Sequence, residues 1–435
     1  MYVTQWTRLD NAAKIFPPST TRDDTKVFRF SCELYETVEP EILRHALDLS
    51  LEEFPFYRFI IRRGFFWYYF EKSDIQPEVR EEYKTPCAPL YDVNRKNLLF
   101  ELTFYRKRIN LEIYHALSDG IGAVEFLKNV VFRYLLEKHR GTIDGNTRLA
   151  GNDASDEQRS RDAFDTYYSK EKKSGIPRLP EAYYIKGERF SESRLGIIEG
   201  HVSTGAMLKK VHEYNATLSE FLAAVFICSI HEGMKVRDET RPVSIAIPVN
   251  LRRFFTTPSA RNFFSIINVS HNFSTQGKDF EDVLAQVKLS FKARLAPEEI
   301  RERLNHLVAL EHALYIKMVP LVVKAPVFKG LLWRAEKGYS ATFSNIGKIT
   351  MPENLAPYIR LFNLFNYTKH PQLCTCSFED VLSMSFSSPF VNSGIQGSFF
   401  RTLTGMGLDL EIISNIAELR ETGVPGESGN RGTGG

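Results

Sequence analysis

Cysteine is scarce in this chain: five in 435 residues, an odd count that fits a reducing compartment better than a disulfide framework. Cys374 and Cys376 form a C-x-C, but no second pair and no histidine cluster completes a metal site, so both read as strand residues. Net charge is also low, at +3, too small to argue for nucleic acid or an anionic membrane as partner. No apolar run is long enough to cross a bilayer. The opening Met1-Tyr2-Val3-Thr4-Gln5-Trp6 lacks the basic-then-apolar pattern of a signal peptide, so the expected location is cytoplasmic. There is no P-loop, no dinucleotide fingerprint and no H-E-x-x-H. Gly200-His201-Val202-Ser203-Thr204-Gly205 fails the G-x-S-x-G spacing of a nucleophile elbow. Lys170-Glu171-Lys172-Lys173 is most simply a solvated face.

What the chain does have is a large apolar inventory. It is 43% hydrophobic and 25% charged, the balance of a globular protein, and its length suggests two or three domains. Its 33 Phe and 19 Tyr suffice for a large core or an apolar tunnel. Alternation predicts a strand over 26–35, and Pro40 opens a helix whose apolar stripe is Ile42, Ala46 and Leu49. Hairpins are predicted over 57–70, about Arg62-Arg63-Gly64, and over 99–115, about a polar turn at 106–110.

From Arg140 to about Gly175 small polar and charged residues dominate, as in a solvated connection. Beyond it, Thr217-Leu218-Ser219-Glu220 is a capping-box pattern opening a buried helix over 221–230. Strands are expected over 195–202, 243–249, 263–269, 339–343, 358–365, 381–386 and 395–403, and helices from Met207 and over 280–291, 304–314 and 319–333. The organisation expected is a first block at 1–140, a polar linker at 141–180, a similar mixed α/β block at 181–420, and a disordered Gly-rich tail at 421–435.

The most informative stretch is Leu111-Glu112-Ile113-Tyr114-His115-Ala116-Leu117-Ser118-Asp119-Gly120. It reads as a strand, a tight polar turn, and a helix from Ile121 with Val124, Leu127, Val131 and Leu135 at helical spacing. Leu111, Ile113 and His115 face one way, Glu112 and Tyr114 the other. An imidazole at a strand end can be held firmly and still be reached by a substrate. Asp119 can pair with a cation or cap the helix, and Gly120 lets the backbone turn without a side-chain clash. A lone histidine at such a place is more often structural than catalytic, and Asp-Gly is more often a plain turn.

His115-x-x-x-Asp119-Gly120 between a strand and a helix resembles the active-site motif of the CoA-dependent acyltransferase superfamily. That group includes chloramphenicol acetyltransferase, alcohol acetyltransferases, polyketide-associated acyltransferases and the condensation domains of peptide synthetases. Four further stretches support the resemblance, in order: Leu9-Asp10-Asn11-Ala12-Ala13, similar to the alcohol acetyltransferase branch; Ile247-Pro248-Val249-Asn250-Leu251-Arg252; Arg261-Asn262-Phe263-Phe264; and Ser344-Asn345-Ile346-Gly347. Two departures stand out: many members carry two adjacent histidines, and here the first is Tyr114; and the Asp-Phe-Gly-Trp-Gly motif of the plant branch is absent. No carrier-protein segment is seen either, which argues against a multidomain synthetase.

The resemblance implies an α/β fold of two chloramphenicol-acetyltransferase-like subdomains, each a mixed sheet with packed helices, and an active-site tunnel between them. It implies an O-acyltransferase that moves an acyl group, acetyl in the first instance, from CoA to an alcohol hydroxyl. His115 would be the general base, with no covalent intermediate and no permanently bound cofactor. Asp119, Gly120 and Arg252 would support the site, with Arg253 as the alternative cation. Ser344 and Asn345 would line the tunnel or face the oxyanion, or form a plain turn, and Asn250 and Asn262 would be structural. Acyl-CoA and a small alcohol or amine are the expected partners of a monomer. The alternatives are a non-catalytic, condensation-like binding protein and acyl transfer from a carrier-protein thioester.

Overall fold

The structure is a computed structural model and describes residues 6–149, 163–168, 180–191, 194–257, 261–312 and 319–421. The tail expected at its end, and most of the polar connection, lie outside the described residues. The first part of the chain runs β1 (Trp6–Arg8), β2 (Val27–Leu34), α1 (Pro40–Glu53), β3 (Phe59–Arg63), β4 (Tyr68–Lys72), β5 (Val79–Glu81), β6 (Phe100–Tyr105), β7 (Arg108–Tyr114) and α2 (Gly120–Lys138). The second runs β8 (Gly196–Ser203), α3 (Thr204–Glu213), α4 (Leu218–Glu232), β9 (Val243–Asn250), β10 (Phe264–His271), α5 (Phe280–Arg294), α6 (Pro297–His312) and α7 (Leu321–Glu336). It closes with β11 (Ala341–Lys348), β12 (Ile359–Asn366), β13 (Gln372–Phe378), β14 (Val381–Ser388), α8 (Gly394–Gly405) and β15 (Glu411–Ser414).

Two large sheets carry the molecule. One has five strands in the order β12-β2-β7-β6-β5, the other seven in the order β10-β9-β11-β13-β14-β8-β15. A small sheet, β1-β4-β3, stands beside them. In the seven-stranded sheet β11 lies parallel to β9 and to β13, while the other pairings are antiparallel. Strand β12, from late in the chain, pairs antiparallel with β2, so the second half of the chain completes the sheet of the first.

Strand β2 alternates as the sequence predicts, yet it is buried on both faces. Phe28, Phe30 and Cys32 join the apolar core that includes residues of α1 and α2. On the other face Arg29, Ser31 and Glu33 stand opposite Glu112, Asn110 and Arg108 of β7. There Arg29 donates to Glu112 at 2.9 and 2.8 Å, and Ser31 donates to Asn110 at 2.7 Å. Polar pairs of this kind make burial of a polar face tolerable, though among the described residues Glu112 takes its bonds on Oε1 alone. Arg108 continues the line across to the second sheet, where it meets Glu199 of β8 at 3.2 and 2.9 Å.

Several expectations change in detail. Helix α1 turns Leu43, Ala46, Leu47 and Leu51 inward, while Ile42 and Leu49 flank that stripe half-buried. The polar turn between β6 and β7 is only Arg106-Lys107, with Arg106 at φ 51°, so β7 begins at Arg108. Tyr57 lies in a 3-10 turn, and the first hairpin pairs β3 with β4. The stretch expected as a strand at 395–403 is helix α8, whose buried Gln396, Phe399, Phe400 and Leu403 recur at helical spacing. A short apolar run satisfies either period, and only the neighbouring β14 and α4 decide which face must be covered. The capping box of α4 forms as the sequence predicts. Within the polar connection Ala163–Tyr167 is helical, and Phe164 is buried against Phe263. No described helix is long and apolar enough to cross a membrane, and among the described residues no three His, Cys, Asp or Glu side chains gather as a metal site.

Candidate active site

His115 follows the last residue of β7, and its main-chain N–H donates to the carbonyl of Lys26 at 2.8 Å, tying the turn to the start of β2. The turn closes through Leu117 N–H to the Tyr114 carbonyl at 2.8 Å. The ring is half-buried. It stacks on Phe16 with centroids 4.6 Å apart, and meets Phe28 edge-on at 5.1 Å and Phe264 at 5.6 Å. Its Nδ1 lies 3.2 Å from Asn262 Oδ1. Burial holds the imidazole pKa below the ordinary 6.5, against the pull of its own main-chain carbonyl, Asp119 and Asn262. A neutral imidazole at neutral pH is the form that accepts a proton.

Asp119 caps α2, its Oδ1 accepting from Gly122 N–H at 3.0 Å. Its other oxygen accepts from Arg252 Nη1 at 2.7 Å and from Phe263 N–H at 2.9 Å. One carboxylate thus both caps the helix and pairs with the arginine, two roles the sequence leaves as alternatives. Arg252 is presented by the short turn Leu251–Arg253, which Asn250 caps by accepting from Arg252 N–H at 3.0 Å. Its Nη2 donates to the Arg261 carbonyl at 2.5 Å. Arg253 points elsewhere, toward Gly347, whose φ of +88° places it in the left-handed region.

The next tie is one that sequence reasoning takes for plain structure. Residues 261, 262 and 263 each reach the histidine turn or its neighbours. Arg261 pairs with the fully buried Asp10 at 3.3 Å and donates to the Arg8 carbonyl at 2.7 Å. Asn262 touches His115, Asp10 and Ala116, and Phe263 N–H meets Asp119. The signal available in the sequence is the pair Arg261-Asn262 set directly before an apolar strand, where polar side chains need buried partners.

Ser344 and Asn345 lie half-buried on β11. Asn345 donates to Ser219 at 2.9 Å and accepts from Gly347 N–H at 2.9 Å, so its amide shapes the strand irregularity there. Ile346, between them, comes against Gly120: a Cβ on that glycine would lie 2.8 Å from the Ile346 Cδ1 atom. Tyr114 is buried, bonded to the Thr20 hydroxyl at 2.7 Å and stacked on Tyr91. A cavity of about 720 Å³, lined in part by Lys14, Trp67 and Tyr68, lies by the segment that leads to Phe16; a second, of about 820 Å³, lies near Tyr183 and Phe390. Neither is lined by His115.

No protein-family model and no curated protein matches the sequence. Solved structures do match in shape. The trichothecene 15-O-acetyltransferase TRI3 of Fusarium sporotrichioides aligns with TM-score 0.60 at 11% identity, covering 93% of this chain and 94% of that one. TRI101 of the same organism, complexed with coenzyme A and T-2, aligns with TM-score 0.61 at 10% identity over 94% and 99%. The starter condensation domain of rhizomide synthetase, an R148A mutant in complex with C8-CoA, gives 0.59 at 12% over 92% and 94%. End-to-end coverage of both partners, with two mixed sheets joined by the β12 exchange, gives this chain the two-lobed fold of the CoA-dependent acyltransferases and condensation domains.

Proposed function

We propose that the protein is an O-acyltransferase that moves an acyl group, acetyl in the first instance, from CoA to an alcohol hydroxyl, with His115 as general base. The observation that carries the reading is the imidazole itself: half-buried, its pKa depressed, and gripped on both sides of a turn by groups from the two halves of the chain. In this reaction His115 takes the proton of the acceptor hydroxyl as its oxygen attacks the thioester carbonyl. The tetrahedral intermediate then collapses, the C–S bond breaks, and the proton passes from His115 to the leaving thiolate. General-base assistance of this kind is worth about 10²–10⁴-fold. Alignment of donor and acceptor adds to it.

Asp119 and Arg252 act at a distance from the chemistry, fixing the turn that aims the ring. The fold similarity to proteins solved with CoA or an acyl-CoA supports acyl-CoA as co-substrate. The alternative donor is an acyl group on a carrier-protein thioester.

The test is release of free thiol from acetyl-, butyryl- and octanoyl-CoA in the presence of a panel of alcohols and amines, with the acylated product identified by mass. Acceptor-dependent release that disappears in His115→Ala is the expected result. Release from acyl-phosphopantetheinyl carrier protein alone would reassign the donor. No acceptor-dependent release from any donor would leave a binding protein of the same fold.

A further inference from the structure

We propose that Asn262, held in one orientation by Asp10, sets which nitrogen of His115 carries the proton, and so acts as the positioning residue for the base. The kinetic part of this inference rests on the acyl-transfer reading, whereas the protonation part does not.

The argument begins at the far end of the amide. Asn262 Nδ2 lies 3.4 Å from Asp10 Oδ2 and 3.4 Å from the Ala116 carbonyl. The Ala116 carbonyl can only accept. Two neighbours favour the charged, accepting form of Asp10: Ala13 N–H donates to its Oδ1 at 2.6 Å, and the Arg261 guanidinium stands 3.3 Å from its Oδ2, while burial opposes them and raises the carboxyl pKa. Flipping the amide would set its oxygen against both of these acceptors. The nitrogen therefore faces them, and the oxygen faces His115 Nδ1 at 3.2 Å.

An acceptor opposite Nδ1 is satisfied only if Nδ1 carries hydrogen. The lone pair is then on Nε2, at the other edge of the imidazole. Phe16, stacked at 18° to the ring, and Phe28, edge-on at 67°, hold the ring plane. The remaining ionisable groups acting on the ring are Asp119 and Lys26. Asp10 lies in the first segment of the chain and Asn262 in the second half, so the protonation state of the base depends on the two being docked.

The experiment is a long-range ¹⁵N–¹H correlation spectrum of the full chain labelled at histidine, with His115 assigned by its loss in His115→Gln. Wild type and Asn262→Leu are compared near neutral pH. The expected wild-type signal is a neutral ring protonated at Nδ1. Asn262→Leu should show a mixture with the Nε2–H form. In the thiol-release assay Asn262→Leu should lower kcat by about 10–100-fold with little change in KM for acyl-CoA, as for partners that orient other functional histidines.

A wild-type ring protonated at Nε2 overturns the inference without any variant. So does a folded Asn262→Leu protein that keeps the Nδ1–H ring in full. Absence of acyl transfer would defeat the function proposed above and leave the spectrum to decide this inference by itself.

Discussion

Arg252 donates to Asp119 at 2.7 Å across 133 residues of sequence, and the same carboxylate oxygen receives the main-chain N–H of Phe263. The pair is nearly buried, with side-chain exposures of 13% and 6%. Burying two charges has a desolvation cost that attraction only partly offsets, so such a pair is weak evidence for net stability. What it does provide is geometry. It fastens the N-terminus of α2 to the turn after β9, and the histidine turn lies between these fixed points.

Removing one member should therefore cost more than the pair contributes. Asp119→Ala leaves the Arg252 guanidinium without that carboxylate and α2 without its cap, with an expected loss of about 3–5 kcal/mol in urea unfolding. Arg252→Met should cost a similar amount, and the double variant less than the sum of the two. Turnover should fall in each. Wild-type stability and turnover in Asp119→Ala would refute the role given to the pair.

His115→Ala separates chemistry from folding. The ring is half-buried and its neighbours are mostly aromatic, so the change in melting temperature should be small beside the loss of turnover. Turnover should drop by about 10²–10⁴-fold, the usual worth of a general base. Near-normal turnover in this variant would remove the proposed mechanism.

The pH profile follows from the depressed pKa of the same ring. A base works when neutral, so kcat/KM should stay flat through neutrality and fall only once the pH passes below the ordinary histidine value of 6.5. The stability effect has a defined sign. Above 6.5 the ring is neutral folded and unfolded, and it contributes nothing. Below that value the unfolded chain takes the proton first, so stability declines until the pH passes the lower folded pKa. An acid limb of kcat/KM lying above 6.5 would contradict the burial argument.

Arg108 and Glu199 offer a second acid-sensitive point away from the histidine. Burial alone would raise the Glu199 carboxyl, but His201 and Arg108 bring it down to about 2. His201 Nε2 stands 3.7 Å from the carboxylate, beyond hydrogen-bond reach, while Arg108 donates to it directly. A carboxyl whose pKa is lowered on folding stabilises the fold above its ordinary value of 4.5, and that contribution is lost as the pH falls from there toward 2. Arg108→Met should destabilise the protein by about 3 kcal/mol at neutral pH. It should also shrink the acid-dependent part of the unfolding curve, measured by circular dichroism between pH 6 and 2. An unchanged acid transition would show that Glu199 is satisfied without Arg108.

Local chemistry was enough to read most elements and the place of the histidine. The capping box Thr217 to Glu220, Pro40 at a helix start, and the β7–turn–α2 passage are all decided by residues within a few positions of one another. Helix α8 was not legible, because an apolar stretch of that length fits either period until a neighbouring surface selects one face. Nor was β12 as a member of the first sheet: its sequence reads as a strand, and nothing local says which strand it will pair with.

By itself the sequence determined the motif and its turn, since His115, Asp119 and Gly120 are close along the chain and their spacing is a property of local backbone geometry. Only the tertiary structure decided what holds that turn. Arg252 against Asp119, Asn262 against His115 and Arg261 against Asp10 are separated by more than a hundred residues each. Contacts of that range depend on how two sheets dock, a matter of the whole packed interior, and no short stretch of residues encodes it.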